Sequence, residues 1–195
     1  MAPTKSMLAG AATFAVAGCI GAAVAWFGVG KTGNPAGQGP WSWRTSAHTG
    51  EASAGLLRRA VIARVGIWAL PPSEVVYFAA QTDTDGKPLS RRCTYEIAGT
   101  GDAPARWWSI SLYRDHFWVD NPLDRYSFSK TTVARNPDDS WKIMISATPQ
   151  PGNWIPMGPR DGRFTLSYRL YQPQPSVSAQ PKAVPLPAVR RQTCA

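Results

Sequence analysis

The sequence has few residues that could hold a metal ion or build a familiar catalytic site. Its two histidines, His48 and His116, lie far apart, and its three cysteines show no C-x-x-C spacing. Because protein zinc sites draw on closely spaced Cys and His ligands, we predict no metal site. The pattern G-x-S-x-G is also absent, which argues against the nucleophile elbow of serine hydrolases. We predict no cofactor of any kind.

Acidic residues are scarce in the two ends of the chain, whereas the middle contains nearly as many acidic as basic residues. The 21 Lys and Arg against 12 Asp and Glu give a formal net charge of +9. Residues 73–173 carry only +1 of this, whereas residues 1–72 carry +5 and residues 174–195 carry +3. A nucleic-acid-binding domain is expected to place its basic patch on the folded face. We therefore predict no nucleic-acid partner and favour a membrane-proximal role for the flanking charge.

Charged residues are absent from positions 7–29. As a helix these residues would be about 34 Å long, enough for a hydrocarbon core of about 30 Å. We predict a transmembrane anchor over 7–29 after a short tail over 1–6, with the bilayer as its partner. A signal peptide cleaved before Trp26 and a lipoprotein site at Cys19 are the alternatives. All three place the following domain across the membrane.

A Gly- and Pro-rich linker is predicted over 30–48 and a helix over 51–70. Thr49 is the expected N-cap of this helix. Its apolar stripe consists of Leu57, Val61, Val65 and Trp68. The predicted domain, residues 49–173, thus begins with one soluble helix.

Strand patterns follow from residue 73 onwards. Two of them flank a turn at Asp85-Gly86 and predict an antiparallel hairpin. Residues 164–170 alternate most regularly between apolar and polar. Seven or so short antiparallel strands predict a mainly β domain, a β-sandwich of the jelly-roll kind. Residues 174–195 are predicted as a Pro-rich, extended tail.

Polar and aromatic residues are densest over 106–129, where a strand runs into a loop. If this loop were catalytic, a carboxylate pair or a carboxylate-oriented histidine would be needed. The weak catalytic candidates are Asp115, His116, Asp120 and Arg125. Flat indole faces beside amides would instead suit stacking on a sugar ring. The ligand-binding candidates are Trp107, Trp118, Asn121, Asn153 and Trp154. The alternative for both sets is that they pack the sandwich and fix its turns.

Cys93 and Cys194 lie outside the apolar segment, and export would place them in an oxidising compartment. They either form a disulfide that fastens the C-terminal tail or stay as one buried and one exposed thiol.

Three pieces of the chain resemble the bacterial family called domain of unknown function 1214. They are ARWWSISLYRDHFWVDNPLDRYSFS, GNWIP and GRFTLSYRLYQP, and the likeness covers roughly residues 70–173. The resemblance implies an antiparallel β-sandwich and, for this chain, a short membrane-anchored variant. It brings no catalytic residues, because no activity is established for the family. The insertion Arg114–Trp118 replaces the short acidic or glycyl turn usual after the Tyr.

We therefore predict a single-pass protein of the bacterial inner membrane with its C-terminal domain on the periplasmic side. The favoured function is a non-enzymatic binding or structural module for an envelope glycan or protein. A hydrolase of a glycan or small ester is the alternative, and an accessory subunit of a membrane complex is the third possibility.

Overall fold

The computed structural model describes residues 5–31, 42–45, 50–51, 53–65 and 69–195. The chain divides into two compact units. One contains two helices, and the other contains all of the β structure.

Helix α1, Lys5–Lys31, contains the predicted membrane anchor. Its residues 5–28 form a helix long and apolar enough to cross a membrane, and none of that window is buried in the protein. The Thr13 hydroxyl donates a hydrogen bond to the Ala9 carbonyl at 3.0 Å. Such a bond satisfies the hydroxyl within the helix, as an apolar surrounding requires.

Helix α2, Leu56–Val65, is shorter than predicted. The Ala54 N–H donates to the Glu51 carbonyl, and the helical bond from the Arg59 N–H runs to the Gly55 carbonyl. The helix therefore starts after Gly55 and not at Glu51. In the predicted stripe Val61 is buried but Leu57 is half exposed; the other two stripe side chains and Thr49 lie outside the described residues.

Within the part of the β unit that the structure describes there are ten strands and two further short helical segments. The strands are β1 (Trp43–Thr45), β2 (Val75–Ala80), β3 (Cys93–Thr100), β4 (Ala105–Arg114), β5 (Phe117–Trp118), β6 (Ser127–Ser129), β7 (Ser140–Ser146), β8 (Trp154–Pro156), β9 (Thr165–Pro173) and β10 (Ala188–Cys194). Helix α3 (Pro175–Ala179) and a 3₁₀ turn (Pro181–Ala183) precede β10.

The strands form two sheets, which confirms the predicted mainly β, sandwich-like fold. The larger sheet has the order β1-β2-β9-β4-β5, with β6 paired to β4 beside β5. The smaller sheet has the order β10-β3-β7-β8. All pairs are antiparallel except β7 with β8, which is parallel. Strand β4 is thus an interior strand of the larger sheet.

The predicted hairpin between β2 and β3 is wrong, because the two strands belong to different sheets. The turn between them is organised by Asp83, which is fully buried. Its carboxylate accepts hydrogen bonds from the N–H groups of Asp85 and Lys87 and pairs with Arg191 of β10 at 2.7 Å. The chain folds back at this turn, where Thr82 and Pro88 form an isolated antiparallel bridge. The contact with Arg191 holds the turn against the smaller sheet, and beyond the bridge the chain enters that sheet as β3 and does not pair with β2.

The core lies between the two sheets and is rich in aromatic rings. Trp108 of β4 is fully buried and stacks on Trp141 of β7 at 5.0 Å between ring centroids. Its edge meets Tyr168 of β9 at 5.8 Å, and its indole N–H donates to Asp102. Each such ring pair contributes about 0.5–1.5 kcal/mol beyond the area it buries. These contacts join β4, β7 and β9 across the sandwich.

The C-terminal residues differ from the predicted separate tail. Strand β10 pairs with β3 in the smaller sheet, and Val189 is fully buried in the core. Just before β10, the Pro187 carbonyl accepts a buried hydrogen bond from the Trp43 indole at 2.7 Å. A disulfide joins Cys93 of β3 to Cys194 of β10 across a sequence separation of 101. Residues 188–194 are therefore an edge strand of the domain.

Candidate functional site

The densest polar and aromatic stretch of the sequence becomes a hairpin and a loop at one edge of the larger sheet. Asp115 and His116 have φ angles of 51° and 71° and form the two-residue turn between β4 and β5. Positive φ at both central residues is the requirement of a type I′ hairpin turn. The turn reverses the chain at once, so that Trp118 pairs with Tyr113 of β4. This places the Trp118 ring on the outer face of the sheet, where it is 56% exposed.

Trp118 belongs to an aromatic platform on that outer face. Its ring stacks on Tyr126 with 5.1 Å between centroids and 12° between planes. The Tyr126 hydroxyl donates to Asp124 at 2.8 Å. This bond raises the pKa of Tyr126, because the phenolate would lose it and face the carboxylate. We call Trp118 and Tyr126 together the aromatic platform.

The loop that carries Tyr126 is held by Asn121, whose side-chain amide makes four hydrogen bonds. Its nitrogen donates to the carbonyls of Val119 and Arg125 at 3.0 and 3.1 Å. Its oxygen accepts from the N–H groups of Leu123 and Arg125, both at 3.2 Å. Asn121 is buried and its amide is fully used. It is therefore a positioning residue of the loop and not a ligand contact.

Asn153 and Trp154, the other predicted loop candidates, are also bound to the protein itself. The Asn153 amide donates to the carbonyls of Ala134 and Lys142 and accepts from the Ala134 N–H. The indole N–H of Trp154 donates to the Ser146 carbonyl at 3.1 Å. These bonds fix β8 beside β7 and close one end of the sandwich.

Arg125 bridges the two loops. Its guanidinium donates to the Trp154 carbonyl at 3.4 Å and lies 5.8 Å from the centroid of the Phe128 ring. The first contact is long for a hydrogen bond, and the side chain is exposed. Arg125 thus stays accessible to a ligand at the rim of the loop.

An open depression of about 550 Å³ lies between these elements on the edge of the larger sheet. It is lined by Trp107, Trp118, Leu123, Asp124, Arg125, Tyr126, Ser127, Phe128, Ser129, Thr132 and Gly152. Among the ligand-binding candidates, Trp107 and Trp118 line it, whereas Asn121, Asn153 and Trp154 support the surrounding loops. We call this depression the edge cleft.

The catalytic candidates do not meet in the edge cleft. Asp115 forms an exposed ion pair with Arg160, and His116 is exposed in the hairpin turn. Asp120 is exposed as well, and of the four candidates only Arg125 lines the cleft. Among the described residues that line it, the single carboxylate is Asp124, which accepts the Tyr126 hydroxyl.

Several residues that line the cleft are not among the candidates predicted from the sequence, above all Ser127, Ser129 and Thr132. The register pairs Ser129 with Ser109 and Ser127 with Ser111, so hydroxyl side chains form a row on the outer face of β4 and β6. The alternation of serines with buried apolar residues in both strands is the signal that predicts such a face. Their position next to Trp107 depends on strand pairing.

Arg114, the first residue of the insertion Arg114–Trp118, is the buried last residue of β4 and holds two loops together. It donates to the Met157 carbonyl at 3.3 Å, and Arg91 donates to the neighbouring Gly158 carbonyl at 2.7 Å. Burial and the nearby Arg160 lower the pKa of Arg114. Gly158 has a φ of 66°, and a Cβ there would lie 2.3 Å from the Asp120 carbonyl oxygen. Only glycine allows the two loops to approach so closely.

Fold and site together define a two-sheet β-sandwich with an open, aromatic-lined cleft at the edge of its larger sheet. The chain belongs to the family described as protein of unknown function (DUF1214), which matches residues 74–175, just over half of its length. The sequence resemblance is thereby confirmed. The matched residues include both loops of the edge cleft.

The comparison with solved structures gives one similar fold and one weaker match. The VPA0106 protein from Vibrio parahaemolyticus is 22% identical with a TM-score of 0.59, covering 72% of this chain and 36% of that chain. A putative uncharacterized protein from Burkholderia cenocepacia is 14% identical with a TM-score of 0.45, covering 89% of this chain and 41% of that chain. The chain thus spans well under half of either protein. Among curated proteins, none matches it.

Proposed function

We propose that this protein is a non-enzymatic binding module, anchored in the bacterial envelope by α1, that captures an envelope component in the edge cleft. The observation that carries the proposal is the aromatic platform. Trp118 is more than half exposed although it stacks on Tyr126, so a large flat apolar face is held rigidly in solvent. A pre-organised aromatic ring loses little entropy when a ligand covers it.

The surroundings of the platform fit recognition of a polar molecule. Asp124 and Arg125 lie at the rim, and Ser127 adds a hydroxyl to the lining. These groups supply hydrogen-bond donors and acceptors next to an apolar face. That combination suits a ligand with both a hydrophobic face and hydroxyl or amide groups, such as a sugar ring.

The arrangement favours binding over hydrolysis. Glycoside hydrolysis requires two carboxyl groups at a defined separation across the scissile bond. Asp124 is the one carboxylate among the described residues lining the cleft, and it is already hydrogen bonded to Tyr126. The catalytic candidates Asp115 and His116 lie in the exposed hairpin turn instead.

The proposed placement at the membrane is supported by α1, which is long and apolar enough to span a bilayer. We propose that the β unit lies on the periplasmic side of the inner membrane. The Cys93–Cys194 disulfide supports this side, because disulfides persist in oxidising compartments. Fusion of a reporter that is active only after export to residue 195 would test the orientation.

The binding function is tested with the full chain in detergent micelles. Intrinsic tryptophan fluorescence is followed during titration with neutral oligosaccharides, acidic oligosaccharides and peptides. We expect saturable binding to at least one class, weakened about tenfold or more in Trp118→Ala, since buried aromatic anchors dominate binding energies. Phe117→Ala is the matched control, because Phe117 is 76% exposed on the same hairpin but does not line the cleft.

Equal affinities of the wild type, Trp118→Ala and Phe117→Ala would contradict the proposal, as would absence of binding across the panel. If the protein hydrolyses a glycan that it binds, and Asp124→Asn abolishes this activity, the hydrolase alternative would replace the proposed binding function.

A further inference from the structure

Two tryptophans delimit the edge cleft, and they lie on the same face of the larger sheet. Trp107 is at the start of β4 and Trp118 pairs with Tyr113 near its end. Residues 107 and 113 are six positions apart and therefore point to the same side of the strand. At about 3.4 Å per residue, the backbone positions that carry the two tryptophans are roughly 20 Å apart along the strand direction. A single sugar ring cannot cover both of them.

The surface between the tryptophans is lined by hydroxyl groups. Ser127, Ser129 and Thr132 line the cleft, and Thr131 accepts the indole N–H of Trp107 at 3.5 Å. The Ser129 hydroxyl is buried and bonded to the hydroxyls of Thr131 and Thr132. The hydroxyls left exposed to a ligand are those of Ser127, Thr131 and Thr132. Each hydroxyl both donates and accepts hydrogen bonds, as sugar hydroxyls do. Their small size also keeps the floor of the cleft low between the large rings at its ends.

Charge in the cleft is balanced. Its lining contains one carboxylate, Asp124, and one guanidinium, Arg125, and these are neighbours in the chain. A binding site for an acidic polymer would be expected to carry an excess of positive charge. The balance therefore favours an uncharged ligand.

The backbone edge of β6 does not favour an extended peptide. A peptide would add to the sheet through free outward N–H and C=O groups. At Ser129, however, the N–H donates to the Thr132 hydroxyl at 2.9 Å and the carbonyl accepts from the Val133 N–H at 2.9 Å. The chain itself thus covers that part of the edge.

We propose that the ligand of the edge cleft is a linear, uncharged glycan chain that runs along the strand direction and contacts both Trp107 and Trp118. This rests on the proposed binding function and adds the ligand class and its direction. Trp118 with Tyr126 receives one sugar unit, the hydroxyl-lined floor receives the middle of the chain, and Trp107 receives a further unit.

The test is a length series with the full chain in micelles. The probes are β-1,4-linked glucose oligomers and N-acetylglucosamine oligomers of one to six units, with oligogalacturonate as the acidic probe and an uncharged peptide of matched length. We expect the affinity for one of the neutral series to rise at least tenfold between the shortest and longest members, because the second indole adds a contact worth about that factor.

The variants separate the two ends of the cleft. Trp107→Ala should remove the gain with length and leave short oligomers unaffected, whereas Trp118→Ala should weaken both. Because Trp107 packs on Tyr171 at 5.1 Å, its loss could disturb the sheet; Trp107→Leu keeps an apolar contact without a flat ring and should behave as Trp107→Ala does. Phe117→Ala should match the wild type, and near-UV circular dichroism reports the integrity of every variant.

Binding of short sugars that depends on Trp118 but does not improve with length would overturn this inference and leave the proposed function standing. Tighter binding of the acidic oligomer or of the peptide would overturn the ligand class. If none of the sugars binds, the sugar-ligand part of both proposals is refuted together.

Discussion

Replacement of Asn121 by alanine tests how the aromatic platform is positioned. The amide of this buried side chain makes four hydrogen bonds within the loop that leads from Val119 to Arg125. Alanine removes all four and leaves two carbonyls and two N–H groups without this partner. Tyr126 follows directly, so its stack on Trp118 should loosen as well.

The magnitude follows from the surroundings of the amide. Each buried hydrogen bond has a net value of about 1 kcal/mol, so loss of all four would lower the free energy of unfolding by at most about 4 kcal/mol. Leu123 and Arg125 are exposed, so water can reach their N–H groups and offset part of the loss. We expect about 2–3 kcal/mol, which for a chain of this size lowers Tm by about 5–10 °C.

Asn121→Asp adds a pH dependence of known sign. The new carboxylate keeps the acceptor role towards Leu123 and Arg125 but faces the carbonyls of Val119 and Arg125 without a donor. Burial and these carbonyls raise its pKa in the folded state above its unfolded value. The folded protein then binds the proton more tightly, so the variant gains stability as pH falls through that raised pKa, and the gain is complete below the unfolded pKa.

The assay is thermal unfolding followed by near-UV circular dichroism, with Trp118 fluorescence as a local signal. Asn136→Ala is the matched control, because Asn136 makes a single side-chain bond, to Ser140, in an exposed turn. We expect the control to change Tm by less than 2 °C, since exposed turn contacts contribute about 0.5 kcal/mol or less. Equal shifts for Asn121→Ala and Asn136→Ala would refute the reasoning.

Three other perturbations follow from the described contacts. Cys194→Ser opens a loop of 101 residues and should reduce the free energy of unfolding by about 4 kcal/mol; thiol titration of the unfolded wild type should find one thiol before reduction and three after it, and three beforehand would contradict the disulfide. Arg114→Met loses the bond to the Met157 carbonyl but keeps most of the packing and removes the buried Nε that has no partner among the described residues, so stability should change by less than about 1 kcal/mol. Arg114→Ala loses the same bond and also leaves a cavity, so it should cost about 2–4 kcal/mol; equal urea midpoints of the two variants would show this wrong. Burial raises the pKa of Asp102, but hydrogen bonds from Trp108, Arg135 and Lys130 outweigh this effect and hold the pKa below its usual value. The contribution of Asp102 to the free energy of unfolding should therefore be present above about pH 4 and lost as pH falls through the folded pKa. Acid titration should find that the wild type loses its stability advantage over Asp102→Asn below about pH 4.

Much of the fold could be predicted from local patterns. The alternation in 164–170 becomes β9, and Trp108, Ile110 and Leu112 face the core as their spacing requires. The turn at Asp85-Gly86 forms, but the pairing of β2 with β3 could not be predicted correctly, because β3 joins the smaller sheet, in which Arg191 pairs with Asp83 from 108 residues away. For the same reason the C-terminal strand was mistaken for a tail: its proline-rich approach has no periodicity, and its partner is β3.

The sequence located the candidate site but did not distinguish the residues that line the cleft from those that hold its loops. Trp107, Trp118 and Arg125 were identified as candidates and line the cleft, whereas Asn121 and Asn153 are used up inside the loops. Local sequence does not distinguish these cases, since both kinds of residue are polar and lie near a turn. The difference is whether a side chain finds a backbone partner, which depends on the fold.

The sequence by itself predicted the apolar helix, over residues 7–29, together with the β-sandwich class and the family, because each depends on composition or on patterns among near neighbours in the chain. Only the tertiary structure decided which face of the larger sheet carries Trp107, Trp118 and the serines. That arrangement depends on a two-residue turn at Asp115-His116 and on the pairing of β4 with β6. A shift of one residue in this pairing would turn the serines inward and remove the cleft.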